Sequence, residues 1–195
     1  MFNKEITSKL DNIINNKFNI IYNYQFDGIV MLLSGCIRST IMNLPPRDLD
    51  FVILTQGKCQ IIDFIHKFKL EYTRNAAGGY KILYNDCKID IFTVNDLIDA
   101  AAFDSELLFY DINRHMFISC GAFRSFENRT IHRINNKIML LYGDQARLKK
   151  IIKFIKYISN SNKRVKVRQN ELLWRYKLFI KRIKRTINKI YKKSY

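Results

Sequence analysis

Asp48 and Asp50 are the residues whose types and spacing most directly suggest chemistry. They belong to the segment Leu44-Pro45-Pro46-Arg47-Asp48-Leu49-Asp50-Phe51. Alternate side chains of a β-strand share a face, so both carboxylates would project together while Leu49 and Phe51 project the other way. Like charges held side by side need a compensating cation, so the pair predicts a divalent-metal site. A turn in which both aspartates accept hydrogen bonds from backbone amides is the alternative.

The residues before this pair have the pattern of a phosphate-binding turn. The apolar run Ile29–Leu33 predicts a buried strand, Ser34 and Gly35 follow it, and residues 36–42 predict a short helix. Glycine lets the backbone approach a ligand, and the free N–H groups of a helix N-terminus favour an anion. Arg38, in the first turn of that helix, would pair with a phosphate or with a neighbouring aspartate.

A third carboxylate, Asp90, is predicted on a neighbouring strand. Residues 80–84 and 88–92 predict two strands joined by a tight turn. Asp90 then shares a face with Lys88 and Phe92. The alternative for Asp90 is an exposed position on an edge strand.

Cysteine and histidine spacing favours neither a zinc site nor a local catalytic signature. The chain contains no Cys-x-x-Cys, and its four cysteines are Cys36, Cys59, Cys87 and Cys120. Its histidines are His66, His115 and His132. We expect the cysteines to be buried free thiols, since a free cysteine packs as a small hydrophobe.

The composition is that of a folded chain with room for one well-packed domain and a small appendage. Of 195 residues, 48% are hydrophobic and 13% aromatic, which excludes a disordered chain. Apolar runs are too short for a membrane-spanning helix. The first residues do not have the pattern of a signal peptide, so we expect a cytoplasmic protein.

The net charge of +17 is concentrated near the C-terminal end. Residues 1–146 carry 16 Lys/Arg and 16 Asp/Glu, whereas residues 147–195 carry 18 Lys/Arg and only one acidic residue, Glu171. Such a basic tail predicts a polyanionic partner, either nucleic acid or an anionic membrane surface. A solvated helical face that only keeps the protein soluble is the alternative.

Hydrophobic periodicity predicts helices at both ends of the chain. Residues 4–18 have the apolar spacing of an amphipathic helix that covers a sheet. From Asp144 onward two apolar stripes separated by a polar link at residues 159–162 predict helix to the end. The second of these helices would cover the domain, clamp nucleic acid, or lie on an anionic bilayer with Trp174 at the interface. We therefore predict a domain at residues 1–143 and a basic helical extension at 144–195.

The segment Leu33-Ser34-Gly35-Cys36-Ile37-Arg38-Ser39, the Pro-Pro loop and Arg47-Asp48-Leu49-Asp50-Phe51 together resemble a known family. They are similar to the head domain of CCA-adding tRNA nucleotidyltransferases and bacterial poly(A) polymerases, in the polymerase-β-like nucleotidyltransferase superfamily. That family has Gly-Gly-x-Val-Arg-Asp, a short helix, then (Arg/Lys)-Asp-hydrophobic-Asp-hydrophobic. The resemblance covers about residues 29–118, since residues 103–111 look like a diverged form of the family segment Arg-Arg-Asp-Phe-Thr-Ile-Asn-Ala.

The resemblance implies an α+β nucleotidyltransferase fold, with a mixed β-sheet flanked by helices, and a two-metal Mg²⁺ site. The nucleotide-binding residues that it implies, for ATP or another nucleoside triphosphate, are Ser34, Gly35, Arg38 and Ser39. The catalytic and metal-binding residues that it implies are Asp48, Asp50 and Asp90.

Three departures from the family pattern bear on the substrate. Ser34 replaces the first glycine, and Ser39 replaces the aspartate that follows the arginine. The Arg-Arg-Asp that reads the base in CCA-adding enzymes is Ala100-Ala101-Ala102 in this chain. We therefore expect base selection to differ from that branch or to be absent.

These features predict a Mg²⁺-dependent nucleotidyltransferase that transfers a nucleoside monophosphate to an acceptor hydroxyl, with RNA as the first acceptor to consider. The basic residues 147–195 would bind that RNA or another polyanion. One alternative is a non-catalytic module of the same fold that binds RNA or a partner. Another is an enzyme that is peripheral to the membrane and acts on a surface-polysaccharide or lipid-linked acceptor.

Overall fold

The computed structural model describes residues 4–57, 60–75, 78–135 and 144–168. They form two compact units. The first contains the described residues up to Ala100 together with Leu108–Ile118, and the second contains Ala101–Leu107 and the described residues from Ser119 onward. Cys59, Trp174 and the part of the second predicted C-terminal helix from residue 169 onward lie outside the described residues. The proposed boundary between residues 143 and 144 stays a prediction.

The first unit is built on a mixed sheet in the order β3-β4-β5-β2-β1-β6-β7. Strands β2 and β5 are parallel, whereas β1–β2, β1–β6, β3–β4 and β4–β5 are antiparallel. The strands are β1 (Ile29–Leu33), β2 (Asp48–Leu54), β3 (Tyr72–Arg74), β4 (Tyr80–Tyr84), β5 (Cys87–Val94), β6 (Leu108–Asp111) and β7 (Met116–Ser119). With its flanking helices this sheet confirms the α+β prediction.

One face of the sheet forms the hydrophobic core. Helix α1 (Lys4–Phe18) buries Ile6, Leu10, Ile14 and Phe18, which recur every four residues and so form one stripe. The Phe18 ring lies 5.8 Å from the Phe51 ring of β2 and 5.9 Å from the Phe64 ring of helix α3 (Ile61–Lys67). Because Phe51 belongs to this face, the odd-numbered residues of β2 are buried and the even-numbered positions Asp48 and Asp50 lie on the opposite face.

Helix α2 (Ser34–Ile41) follows β1 with no intervening loop. It begins two residues earlier than the predicted start at residue 36, because Ser34 already has helical geometry and Leu33 is the residue that precedes the first turn. Strand β5 lies between β4 and β2, so Asp90 is on an interior strand and the edge-strand alternative is wrong.

The second unit contains helices α4 (Ala122–Asn128) and α5 (Asp144–Ile158) and the short parallel pair β8 (Thr130–His132) and β9 (Lys166–Arg168). The Phe126 and Phe154 rings pack edge to face at 5.2 Å and join the two helices. The prediction of helix beyond the polar link is wrong at residues 166–168. These residues pair with β8, and that tertiary partner outweighs their local helix propensity.

The remaining regular elements are 3₁₀ turns at Asn19–Asn23, Leu97–Ala100 and Asp104–Glu106. Within the described ranges, no helix has the length and apolar character needed to cross a bilayer. Cys36, Cys87 and Cys120 are buried free thiols, as predicted.

Candidate functional site

Three carboxylates lie side by side on the face of the sheet opposite the core. In the parallel pairing of β2 and β5, Asp50 is the direct neighbour of Asp90, and Asp48 is the neighbour of Lys88. Neighbouring residues of paired strands project to the same face, as do residues two apart on one strand. Asp48, Asp50 and Asp90 are each partly exposed, whereas the intervening Leu49 is fully buried. The structure therefore brings the three predicted carboxylates together.

The Asp50 carboxylate also adjoins the first turn of α2. Its Oδ2 atom lies 3.6 Å from the position that a Cβ atom would take at Gly35. Burial raises the pKa of the neighbouring Cys36 thiol to about 12; a hydrogen bond involving Thr40 opposes this rise, and the charge of Asp50 adds to it. Asp50 thus connects the turn predicted to hold phosphate with the carboxylates predicted to hold metal.

Arg47 compensates part of this negative charge. Its guanidinium donates two hydrogen bonds to Asp48 Oδ2, one of them from Nε at 2.9 Å. The pKa of Arg47 is raised, chiefly by the hydrogen bond with Asp48 and then by its charge, with smaller contributions from the charges of Asp50 and Asp90. The charges of all three carboxylates therefore act on the Arg47 guanidinium, although the Arg47 side chain is 77% exposed.

Asp90 is held from the other side by the turn that joins β3 and β4. The Asn75 side chain donates from Nδ2 to Asp90 Oδ1 at 3.3 Å and accepts from the Gly79 amide at 2.9 Å. The Asn75 and Gly79 backbones are also bonded, with the Asn75 amide donating to the Gly79 carbonyl at 2.9 Å. Asn75 therefore orients one oxygen of Asp90.

The predicted nucleotide-binding residues form contacts within α2. Arg38 is buried and donates from Nη1 to the Ser34 hydroxyl at 2.8 Å, and the Ser39 hydroxyl donates to the Gly35 carbonyl at 3.2 Å. These bonds stabilise the helix that begins at the turn. A direct role of Ser34, Arg38 and Ser39 with a nucleotide stays a prediction.

Two lysines stand beside the carboxylates on the same face. Lys88 is the strand neighbour of Asp48, and Lys81 on β4 is the neighbour of Asp90. Both side chains are exposed. The sequence pattern had placed Lys88 on the face of Asp90, but Lys81, Asn75 and Arg47 were not among the predicted site residues. The two-residue turn between β4 and β5 was the signal that could have located Lys81.

At the position where the resembled family has its base-reading residues, this chain has three alanines, which carry no polar side chain. Ala100, Ala101 and Ala102 are all buried. The Ala102 amide donates to Glu106 Oε2 at 3.0 Å, and its carbonyl accepts from the Ile134 amide at 2.9 Å. This segment therefore contributes to packing and backbone hydrogen bonding.

Oxygen ligands of this kind suit Mg²⁺, which is commonly held by one or two carboxylates together with substrate phosphates. Across the parts of the chain that the structure describes, no cluster of three or more His, Cys, Asp or Glu side chains has the geometry of a ready metal cage. The arrangement instead provides a pair of neighbouring carboxylates, a third on the same face, and a helix N-terminus beside them. Carboxylate oxygens suit a cation and helix N-terminal amides suit an anion, and the binding of a metal and a phosphate here stays a prediction.

No protein-family model matches the sequence, and no curated protein matches it. Among solved structures, the chain is similar to the Thermotoga maritima CCA-adding enzyme complexed with tRNA_CCA, with 16% identity and a TM-score of 0.50 over 90% of this chain and 42% of that one. CCA-adding enzymes complexed with CTP and with ATP have TM-scores of 0.49 and identities of 15% and 16%. These alignments cover 100% and 86% of this chain and 46% and 40% of the respective enzymes.

The chain thus spans about two fifths of the length of these structures, between 40% and 46%. At such low identity the likeness concerns the fold alone. At that level it confirms the resemblance read from the residues around Gly35 and Asp48: this chain has the nucleotidyltransferase fold of the CCA-adding enzyme head domain.

Proposed function

We propose that this chain is a metal-dependent nucleotidyltransferase, which transfers a nucleoside monophosphate from a nucleoside triphosphate to an acceptor hydroxyl. The observation that carries the proposal is the position of Asp50, which lies against Gly35 at the start of α2 and directly beside Asp90 on β5. A carboxylate at that point can bind a cation that also contacts a triphosphate held at the helix N-terminus.

The donor set fits Mg²⁺. Asp48 and Asp50 offer oxygen ligands on one face of a strand, and they are close enough to Arg47 for its cation to respond to both. When bound, Mg²⁺ supplies charge neutralisation at the phosphates and at the departing pyrophosphate. The Arg47 guanidinium, which donates to Asp48 Oδ2, already offsets part of the negative charge of this set.

The chain's own residues have separate tasks in this proposal. The α2 N-terminus orients the triphosphate through its backbone amides, with Gly35 leaving room for close approach. The oxygen of the acceptor hydroxyl forms a bond to the α-phosphorus, and Asp90 accepts the proton that this hydroxyl loses. The bond from the α-phosphorus to the bridging oxygen breaks, and pyrophosphate leaves. Asn75 keeps one Asp90 oxygen in a fixed orientation, so the other is available for the proton.

RNA is the acceptor that we favour. Two features support it: the basic composition of residues 147–195, and the fold shared with an enzyme whose structure contains tRNA. The buried Ala100-Ala101-Ala102 segment provides no polar side chain for a base. Base preference therefore has to come from other residues or be weak.

The decisive experiment incubates the protein with Mg²⁺, total cellular RNA and each labelled nucleoside triphosphate in turn, followed by gel analysis. We expect label on RNA with the wild type and none with Asp48→Asn/Asp50→Asn. Asp63→Asn is the matched control, since Asp63 is exposed on α3. Full transfer by the double variant, or no transfer by the wild type with any triphosphate and RNA, contradicts the proposal.

A non-catalytic module of the same fold is the second candidate, and the pairing of Arg47 with Asp48 favours it. A guanidinium that already satisfies the carboxylate reduces the need for a metal. Thermal shift separates the two candidates, because only the enzyme should be stabilised by a triphosphate in a Mg²⁺-dependent way. For a membrane-associated acceptor the test is liposome flotation with and without residues 168–195.

A further inference from the structure

Lys81 and Lys88 lie diagonally across the β4–β5 hairpin, on the face that carries the three carboxylates. Lys81 pairs in register with Asp90, and Lys88 is two residues before Asp90 on the same strand. The backbones of two residues in such a diagonal relation are about 7–8 Å apart. Leu83, the strand neighbour of Lys88, is 60% exposed, so this part of the face is open to solvent.

In the part of the chain that the structure describes, Lys81 and Lys88 form no direct ion pair with the carboxylates. The register places each ammonium group next to an aspartate, where a cross-strand ion pair is the ordinary expectation. Among the described residues, however, neither Lys81 nor Lys88 forms a side-chain hydrogen bond or an ion pair. Arg47 is the cation that pairs with Asp48. Both ammonium groups are therefore available to an external anion.

The charge on this face also favours a polyanionic ligand. Asp48, Asp50 and Asp90 are matched by three cations, Arg47, Lys81 and Lys88. Once a divalent cation binds the carboxylates, the face becomes positive. A neutral acceptor, such as a sugar hydroxyl, gains nothing from two unpaired lysines beside the metal, whereas a phosphodiester strand gains a contact at each.

We propose that Lys81 and Lys88 form a subsite for the phosphodiester backbone of a single-stranded acceptor, with one phosphate bound at each lysine and the terminal hydroxyl directed toward Asp90. The subsite rests on the proposed nucleotidyltransferase function, because it specifies the acceptor of that reaction. Long lysine side chains on neighbouring strands can follow a flexible backbone without reading its bases, which agrees with the absence of polar side chains at residues 100–102.

The test measures binding of a fluorescein-labelled single-stranded oligoribonucleotide by anisotropy, over a series of KCl concentrations at constant Mg²⁺ and without nucleotide. Each lost phosphate contact lowers the magnitude of the salt slope by about 0.7 for a single strand, so Lys81→Gln/Lys88→Gln should lower it by about 1.4. Lys4→Gln/Lys69→Gln removes the same charge from exposed positions elsewhere and should leave the slope unchanged. Lys81→Arg/Lys88→Arg should retain the wild-type slope.

Transfer kinetics provide the second measurement. We expect the glutamine variant to raise KM for the RNA acceptor without changing KM for the triphosphate. The subsite is overturned if the glutamine variant leaves both the salt slope and KM for RNA unchanged, or if the Lys4/Lys69 control lowers the slope equally. Preference of the enzyme for an uncharged acceptor also overturns it, even if transfer itself proceeds. A reduced slope in a protein that transfers no nucleotide supports the RNA contact and contradicts the proposed function instead.

Discussion

Replacing Asp90 by asparagine should slow nucleotide transfer by about 10²–10⁴-fold while leaving the stability of the metal-free protein almost unchanged. Two electrostatic effects on stability oppose each other. Asp50 is the like-charged neighbour of Asp90 on one side, and Lys81 is its oppositely charged neighbour on the other. Cross-strand terms of either sign amount to about 0.2–1 kcal/mol each, so their removal together should change the free energy of unfolding by less than about 1 kcal/mol.

Hydrogen bonding is preserved in this variant as well. The amide oxygen of asparagine can accept from Asn75 Nδ2 in place of Asp90 Oδ1. Asp90→Ala lacks that acceptor and should cost about 1 kcal/mol more, since a polar group would lose its partner in a half-buried position. The contrast between the two variants separates the charge of Asp90 from its hydrogen bond.

Thermal unfolding without Mg²⁺ and the RNA transfer assay test this prediction together. For a chain of this size 1 kcal/mol corresponds to roughly 2–4 °C, so Asp90→Asn should shift Tm by no more than about 4 °C. If Asp90 is the general base, as proposed, its loss should lower the rate by about 10²–10⁴-fold. If Asp90→Asn lowers Tm by more than about 8 °C, Asp90 mainly supports the structure of the sheet. If the variant transfers nucleotide at a rate within tenfold of the wild type, Asp90 is not the general base.

Three further predictions concern the core, the proposed metal site and the dependence of stability on pH. Phe18→Ala, which empties a fully buried position against Phe51, should cost about 3–5 kcal/mol in urea unfolding, and a loss below 1 kcal/mol contradicts the packing described. Arg47→Gln removes a cation bonded to Asp48 and should lower the Mg²⁺ midpoint of nucleotide-dependent thermal shift about twofold to fivefold; a higher midpoint contradicts this. Burial raises the pKa of Tyr22 to about 12 from 10.0. The folded protein therefore holds that proton more tightly than the unfolded chain, and stability is lost as pH rises from about 10 to 12. Tyr22→Phe should reduce this loss of Tm relative to wild type, and an identical pH profile excludes Tyr22 as its source.

Local patterns were sufficient for the elements that surround the site. Helix α1 and strand β1 have the predicted bounds because a stripe with helical period and an unbroken apolar run each specify one conformation. The prediction failed at residues 166–168, where three residues pair with β8, a partner remote in the sequence. No window of neighbouring residues contains that information.

The arrangement of the candidate site divides in the same way. That Asp48 and Asp50 share a face follows from strand alternation alone. The register that sets Lys81 beside Asp90 follows from a two-residue turn, where Asn85 and Asp86 both have positive φ, of 48° and 60°.

By itself the sequence determined the alternation of Asp48 and Asp50, the short helix that follows β1 and the basic composition of the tail. Only the tertiary structure decided that Asp90 is the parallel neighbour of Asp50 and that the Asp50 carboxylate adjoins Gly35. The physical reason is that a parallel strand pair needs a long crossover, whose return register is set by packing on the core face. Phe18 of α1 against Phe51 and Phe64 provides that packing, and so places three carboxylates on the opposite face.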